Sequence, residues 1–260
     1  MTDSSSQDGR AGGVLIPRGV ALRIPAGALT ISFSKESGCV AQVTELHLQL
    51  NSCVDWLDIA FDHLRNADHF HRQLMAAHHS GQGAAAFMRS EFLSAMQASV
   101  ASATFFEALY SATRDCLPES RSALRAGGRR RGARSAHVTE QLKRAFGLKQ
   151  KGTTNLRGVL SKIYRFRDEA VHPTSAFGPP ALHPDLGVLV EPRYVMYNHA
   201  NARLVVRGAL AFCEILPMVG QKQGPKEIQP LARYLLESGV PLFASWRENY
   251  GPLRDDDDTR

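Results

Sequence analysis

Residues 153–172 read TTNLRGVLSKIYRFRDEAVH. Leu156, Leu160 and Ile163 recur at steps of three and four, which places them on one face of a helix. Thr153 or Thr154 can cap its start. The following Pro173 cannot continue it and disfavours helical geometry at His172. Four residues past Ile163 the apolar face receives Arg167, and Val171 then resumes the pattern. A guanidinium turned towards a core stripe needs an anion or solvent, because a lone buried charge is very costly. At the end of this helix Arg167 and His172 can converge on one cleft. Asp168 is positioned to orient the arginine or to cap a neighbouring group.

Working outward, three more long apolar stripes surround this helix. Val43, Leu46, Leu50, Val54, Leu57, Phe61 and Leu64 predict a helix over residues 41–67. Phe92, Met96, Val100 and Ala103 predict a second over 84–114, rich in alanine and therefore suited to close packing. Ala202, Val205, Val206, Ala209, Cys213 and Leu216 predict another over 200–218, capped by Asn198 or Asn201. A short helix over 138–146 ends at Gly147. Four long stripes need one another for burial, so the fold class is mainly α, a helical bundle.

The ends differ. Residues 1–13 read as a disordered tail. Residues 14–40 read as a short β appendage, with two strands in Val14–Ser34. The bundle spans 41–218, and a possible strand at 187–190 lies in a Pro/Gly-rich connection. A C-terminal helical extension covers 219–250, as a helix over 226–237 and a helical segment over 241–250. Residues 251–260 form an acidic tail.

The chain has 260 residues, 43% of them hydrophobic, enough for a sizeable core. It has no apolar run of transmembrane length and no signal-peptide pattern at its start, so a cytoplasmic protein with no membrane partner is expected. Cys39, Cys53, Cys116 and Cys213 are scattered without a C-x-x-C pair, and read as buried thiols rather than zinc ligands. Net charge is +6, yet Arg114 to Arg167 holds fifteen basic against three acidic residues, so the remainder is net negative. That segment suits a polyanion. Within it, Arg129, Arg130 and Arg131 in a Gly-rich loop, with Arg134, are candidate RNA-backbone contacts. A solvated linker is the plain alternative for the loop.

The string from Arg167 to His172, at a helix end in a bundle, resembles the R-x4-6-H motif of HEPN domains. The resemblance covers roughly residues 40–218. It implies a HEPN-like bundle and an endoribonuclease without metal or other cofactor, whose arginine and histidine meet their copies across a homodimer in a composite active site. The ribose 2′-hydroxyl attacks the neighbouring phosphate and leaves a 2′,3′-cyclic phosphate. On this reading His172 assists proton transfer, Arg167 binds the scissile phosphate, Asp168 positions one of them, and Glu107 stands behind the site. RNA is the implied substrate, a toxin or defence effector the implied role, and an antitoxin or other regulatory protein a candidate partner.

The plainer alternative pairs Arg167 with a carboxylate such as Glu107, which follows Val100 and Ala103 at helical spacing. Two further readings are a non-catalytic HEPN-like module that dimerises and binds a nucleotide or partner, and an unrelated helical nucleic-acid-binding protein. His63, His69, His71, His78 and His79 cluster in sequence, but no carboxylate–histidine pairs repeat at bundle-metal spacing, so no metal site is expected. No Walker loop, G-x-S-x-G, H-E-x-x-H or kinase signature is present.

Overall fold

The computed structural model describes residues 19–35, 38–81, 83–117, 133–172 and 177–253. The chain divides into two compact units, 1–51 and 52–260. The expected tail at 1–13, residues 254–260 of the tail expected over 251–260, and the loop carrying Arg129 to Arg131 lie outside the described residues; Leu253, expected in that acidic tail, is instead buried in the core.

In the first unit four short strands pair antiparallel. β2 (Leu29–Ser34) and β3 (Gly38–Val43) form one ladder, with Leu29 opposite Val43 and Ser34 opposite Gly38. β1 (Val20–Arg23) pairs with β4 (His47–Leu50), with Val20 opposite Leu50. The helix expected from residue 41 is therefore corrected over its first dozen positions. Val43, Leu46 and Leu50 fit helical spacing, but His47-Leu48-Gln49-Leu50 alternates polar and apolar and fits a strand equally. Pairing with β1 decides between the two periods, since strand preference depends on the neighbours a segment finds.

The second unit is mainly α. Among the described residues it holds α1 (Cys53–His79), α2 (Ala85–Cys116), α3 (Arg134–Phe146), α4 (Gln150–Val171), α5 (Pro192–Met196), α6 (His199–Gln223) and α7 (Gln229–Tyr250). A two-stranded β5 (Ala181–Leu182) and β6 (Leu189–Val190) hairpin precedes α5. The two segments expected over 226–237 and 241–250 are one helix, α7, with Pro241 inside it. α6 likewise runs through Pro217.

α2 is the central element, packing on α1, α3, α4 and α6. Its small residues explain this. Ala95, Ala98, Ala101 and Ala103 are buried together with Phe105, Phe106 and Leu109, so neighbours approach from several sides. Buried hydroxyls are satisfied internally: Ser99 donates to the Ala95 carbonyl at 2.9 Å and Ser102 to that of Ala98 at 2.8 Å. Phe92, Met96 and Val100, expected as the buried stripe, are only half-buried. From α4, Leu156, Leu160, Ile163 and Tyr164 enter the core, as Leu57, Leu64 and Phe61 do from α1.

α3 ends as its glycine indicated. Gly147 takes φ 70° and ψ 35°, and the Leu148 N–H donates to the Lys143 carbonyl at 3.0 Å. A Cβ at Gly147 would stand 2.8 Å from the Gln223 carbonyl oxygen at the end of α6. Gly147→Ala combines a left-handed conformation with a backbone clash. It should destabilise the chain by at least about 1–2 kcal/mol, read as a lower denaturation midpoint with unchanged slope. An unchanged midpoint would mean that α3 and α6 do not approach this closely.

Candidate functional site

The last turns of α4 carry the expected residues. Leu156, Leu160 and Ile163 fix the helix to the core, and Arg167 sits one turn further along the same face. Its side chain is 27% exposed. The guanidinium lies over the Tyr164 ring, 5.0 Å from its centroid. Asp168 Oδ1 stands 3.0 Å from Arg167 Nε, at ion-pair distance, but out of line with that N–H, which has no hydrogen-bond acceptor among the described residues. Asp168 and His172 are exposed. His172 leaves helical geometry at φ −128° and ψ 55° while its N–H still reaches the Asp168 carbonyl at 2.9 Å. Val171, expected to resume the buried stripe, is exposed instead, because the helix ends there.

Glu107 does not take Arg167 as its ion-pair partner. It accepts from Arg134 Nε at 3.0 Å and from the Tyr164 hydroxyl at 2.7 Å. Arg134 also lies 4.3 Å from the centroid of the Tyr110 ring. This arginine, grouped with the RNA contacts on sequence, is engaged in joining α3 to α2. Burial raises the Glu107 carboxyl, but the Arg134 and Tyr164 hydrogen bonds and the charges of Arg134 and Arg167 outweigh it, and the group lies below the ordinary glutamate value. Tyr164, which the sequence did not single out, is thus the link between Glu107 and Arg167. Its hydroxyl is raised, mainly by burial and by donating to Glu107.

A folded-state pKa below the unfolded one contributes stability that is present above the unfolded value and lost as pH falls through the folded one. Glu107→Gln should therefore destabilise by about 1–2 kcal/mol at pH 7, allowing for partial exposure. The difference from wild type should shrink as pH falls below about 4. A difference undiminished at acid pH would show that the carboxylate charge is not its source.

Beside α4 lies a groove of about 910 Å³, bordered by Arg165, Phe166 and Glu169 of the helix and by Phe177, Arg193 and Asn201. The Phe177 ring is fully exposed. The end of α5, which borders the groove, is tied to the helix, because the Tyr197 hydroxyl donates to the Phe166 carbonyl at 2.6 Å.

A second constellation was not foreseen. Glu91 on α2 is 2% exposed and gathers three N–H groups around its carboxylate. His71 Nδ1 of α1 lies 3.3 Å away, His199 Nδ1 of α6 3.2 Å, and the His199 backbone N–H donates at 2.8 Å. The last is one of the open donors at the start of α6, where a negative charge also suits the helix dipole. Burial pushes the Glu91 carboxyl up, but the hydrogen bonds from His199 and the nearby imidazoles bring it below its ordinary value. The rings of His71 and His199 stack at 3.6 Å between centroids. Buried His183 accepts from the Asp185 N–H at 3.3 Å and turns the β5–β6 loop towards this group. Only His71 was singled out in sequence; Glu91, His183, Asp185 and His199 carry no local signal.

None of the four cysteines is in a disulfide, and Cys116, expected buried, is half-buried. Cys53 and Cys213 are buried as expected, with the Cys53 thiol pushed up to about 12 by burial, whereas Cys39 is exposed on β3. No helix among the described residues is long and apolar enough to cross a membrane. No protein-family model, curated protein or solved structure matches the chain.

Proposed function

We propose that the chain is a HEPN-like endoribonuclease that cuts RNA by 2′-hydroxyl attack and leaves a 2′,3′-cyclic phosphate. The observation that carries this reading is the placement of Arg167 and His172 in the last turn and the cap of α4. Arg167 is held in place by Tyr164 and Asp168 without being consumed by Glu107, and His172 is exposed one turn later at the helix cap. A planar, permanently charged guanidinium matches the oxygens of a phosphate. An imidazole exchanges protons near neutral pH. Two copies of the pair, one from each subunit of a homodimer, would supply both the acid and the base. The groove beside α4 supports a single-stranded substrate, since Arg165 offers charge for the backbone and Phe177 a face for a base.

The deciding experiment incubates mixed RNA with the full chain in a chelator and analyses the new ends. Cyclic phosphates, produced by a species that sediments as a dimer, are expected. Dimerisation without cleavage would favour the non-catalytic module that binds a nucleotide or partner. RNA binding without either would favour an unrelated nucleic-acid-binding protein.

A further inference from the structure

We propose that His71, His199 and Asp185 form a binding site for a divalent transition metal of the zinc class, distinct from the Arg167–His172 pair. One potential ligand atom from each of the three lies within 4.8 Å of the others. They come from three separate elements: α1, the start of α6 and the β5–β6 turn.

Two features set this group apart from a chance cluster of surface side chains. The first is the shell behind the ligands. Both histidines present Nδ1 to the same buried carboxylate of Glu91, which leaves Nε2 of each as the outward nitrogen. A histidine that ligates a metal through one nitrogen commonly gives its other N–H to a carboxylate, which fixes the ring and makes the ligating nitrogen more basic. Here one carboxylate serves two rings. Glu91 is also almost wholly buried, and its hydrogen-bond partners among the described residues are two imidazoles and a backbone amide, with no lysine or arginine. A dication bound to both imidazoles would put a lasting positive charge beside this carboxylate.

The second feature is the turn that delivers the third ligand. His183 is buried, its N–H donates to the Val188 carbonyl at 2.8 Å, and its own carbonyl accepts from Gly187 at 3.0 Å. Its Nδ1 accepts from the Asp185 N–H, which holds the backbone of Asp185 while leaving the carboxylate outside. His183 is therefore a positioning residue.

Two nitrogen donors and one carboxylate suit zinc, with a fourth position for water, and disfavour magnesium and calcium, which take oxygen donors. The stacked rings must splay for both Nε2 lone pairs to converge on one ion. The contacts of 3.2 and 3.3 Å to Glu91 are long enough to allow that adjustment. The bound ion would clamp α1, α6 and the β5–β6 turn together.

The test titrates Zn2+ into the full chain after dialysis against a chelator, with stoichiometry and affinity as readouts, and repeats it with Co2+ for its visible spectrum. One ion per chain and a four-coordinate cobalt spectrum are expected. Glu91→Gln should weaken binding by about 10–100-fold. Asp185→Ala lies in an exposed turn, so its fold is retained even where a buried variant fails, and it should weaken binding at least as much. His78→Ala, at the exposed end of α1, should leave affinity unchanged. Absence of saturable binding overturns the proposal. So does binding that survives Asp185→Ala and His199→Ala but is lost in His78→Ala. None of these readouts depends on RNA cleavage, so the two proposals stand or fall separately.

Discussion

Replacing His172 by alanine should lower the RNA cleavage rate by about 10²–10⁴-fold, the range that a positioned proton donor or acceptor contributes, and leave the melting temperature unchanged. The stability half of this expectation follows from the surroundings of the residue. His172 is exposed, its side chain lies beyond the last helical residue, and its hydrogen bond to the Asp168 carbonyl is made by the backbone N–H, which alanine keeps. The activity half follows from the chemistry. Arginine cannot exchange a proton at neutral pH, so no other member of the pair can take over the role. Arg167→Lys completes the argument. Lysine keeps the charge but loses the planar fork, so a reduced rate is expected there too. Cleavage at the wild-type rate in His172→Ala would remove the ribonuclease reading. A rate lost together with the melting transition would instead assign His172 a structural role.

Leu160→Ala should have the opposite signature. Leu160 is fully buried on α4, within the stripe that also holds Leu156 and Ile163. Removing a buried leucine to alanine costs about 2–5 kcal/mol, the spread depending on how far the cavity collapses. For a unit of this size that corresponds to a fall in melting temperature of roughly 4–20 °C. Here α4 is packed against both α2 and α3, so little collapse is available and the upper half of the range is expected. Cleavage measured well below the new melting temperature should persist, because Arg167, Asp168 and His172 all lie beyond the truncated position. A shift of less than about 2 °C would mean that α4 is not anchored by this stripe.

The two variants mark the division between what the sequence carried openly and what it did not. Steps of three and four in Leu156, Leu160 and Ile163 are a local record of a helix with one buried face. Gly147 records a helix end just as locally, since few other residues accept its backbone angles. Residues 43–50 failed because their apolar positions satisfy two periods at once, and a distant strand, β1, settles which one is used. Pro241 misled for a different reason: a proline marks a break locally, yet packing of Leu235, Leu242, Phe243 and Trp246 carries α7 through it. Site residues divide in the same way. Arg167 and His172 share one helix and can be read together. The partnership of Glu107 with Tyr164 and Arg134, and that of His71 with Asp185 and His199, exist only once separate helices have met.

The short turn between α1 and α2 has a kinetic consequence. These helices join through the few residues around Gly81, whose φ of 68° reverses the chain, and they then pack along each other. Closing so short a connection costs little chain entropy, and helical contacts of low sequence separation form fast. The α1–α2 hairpin can therefore assemble before the later helices dock, and it carries His71 and Glu91 in place from the outset. His199 and Asp185 arrive only with the last third of the chain, so a metal-binding signal during refolding would report the docking of α6 rather than the initial collapse.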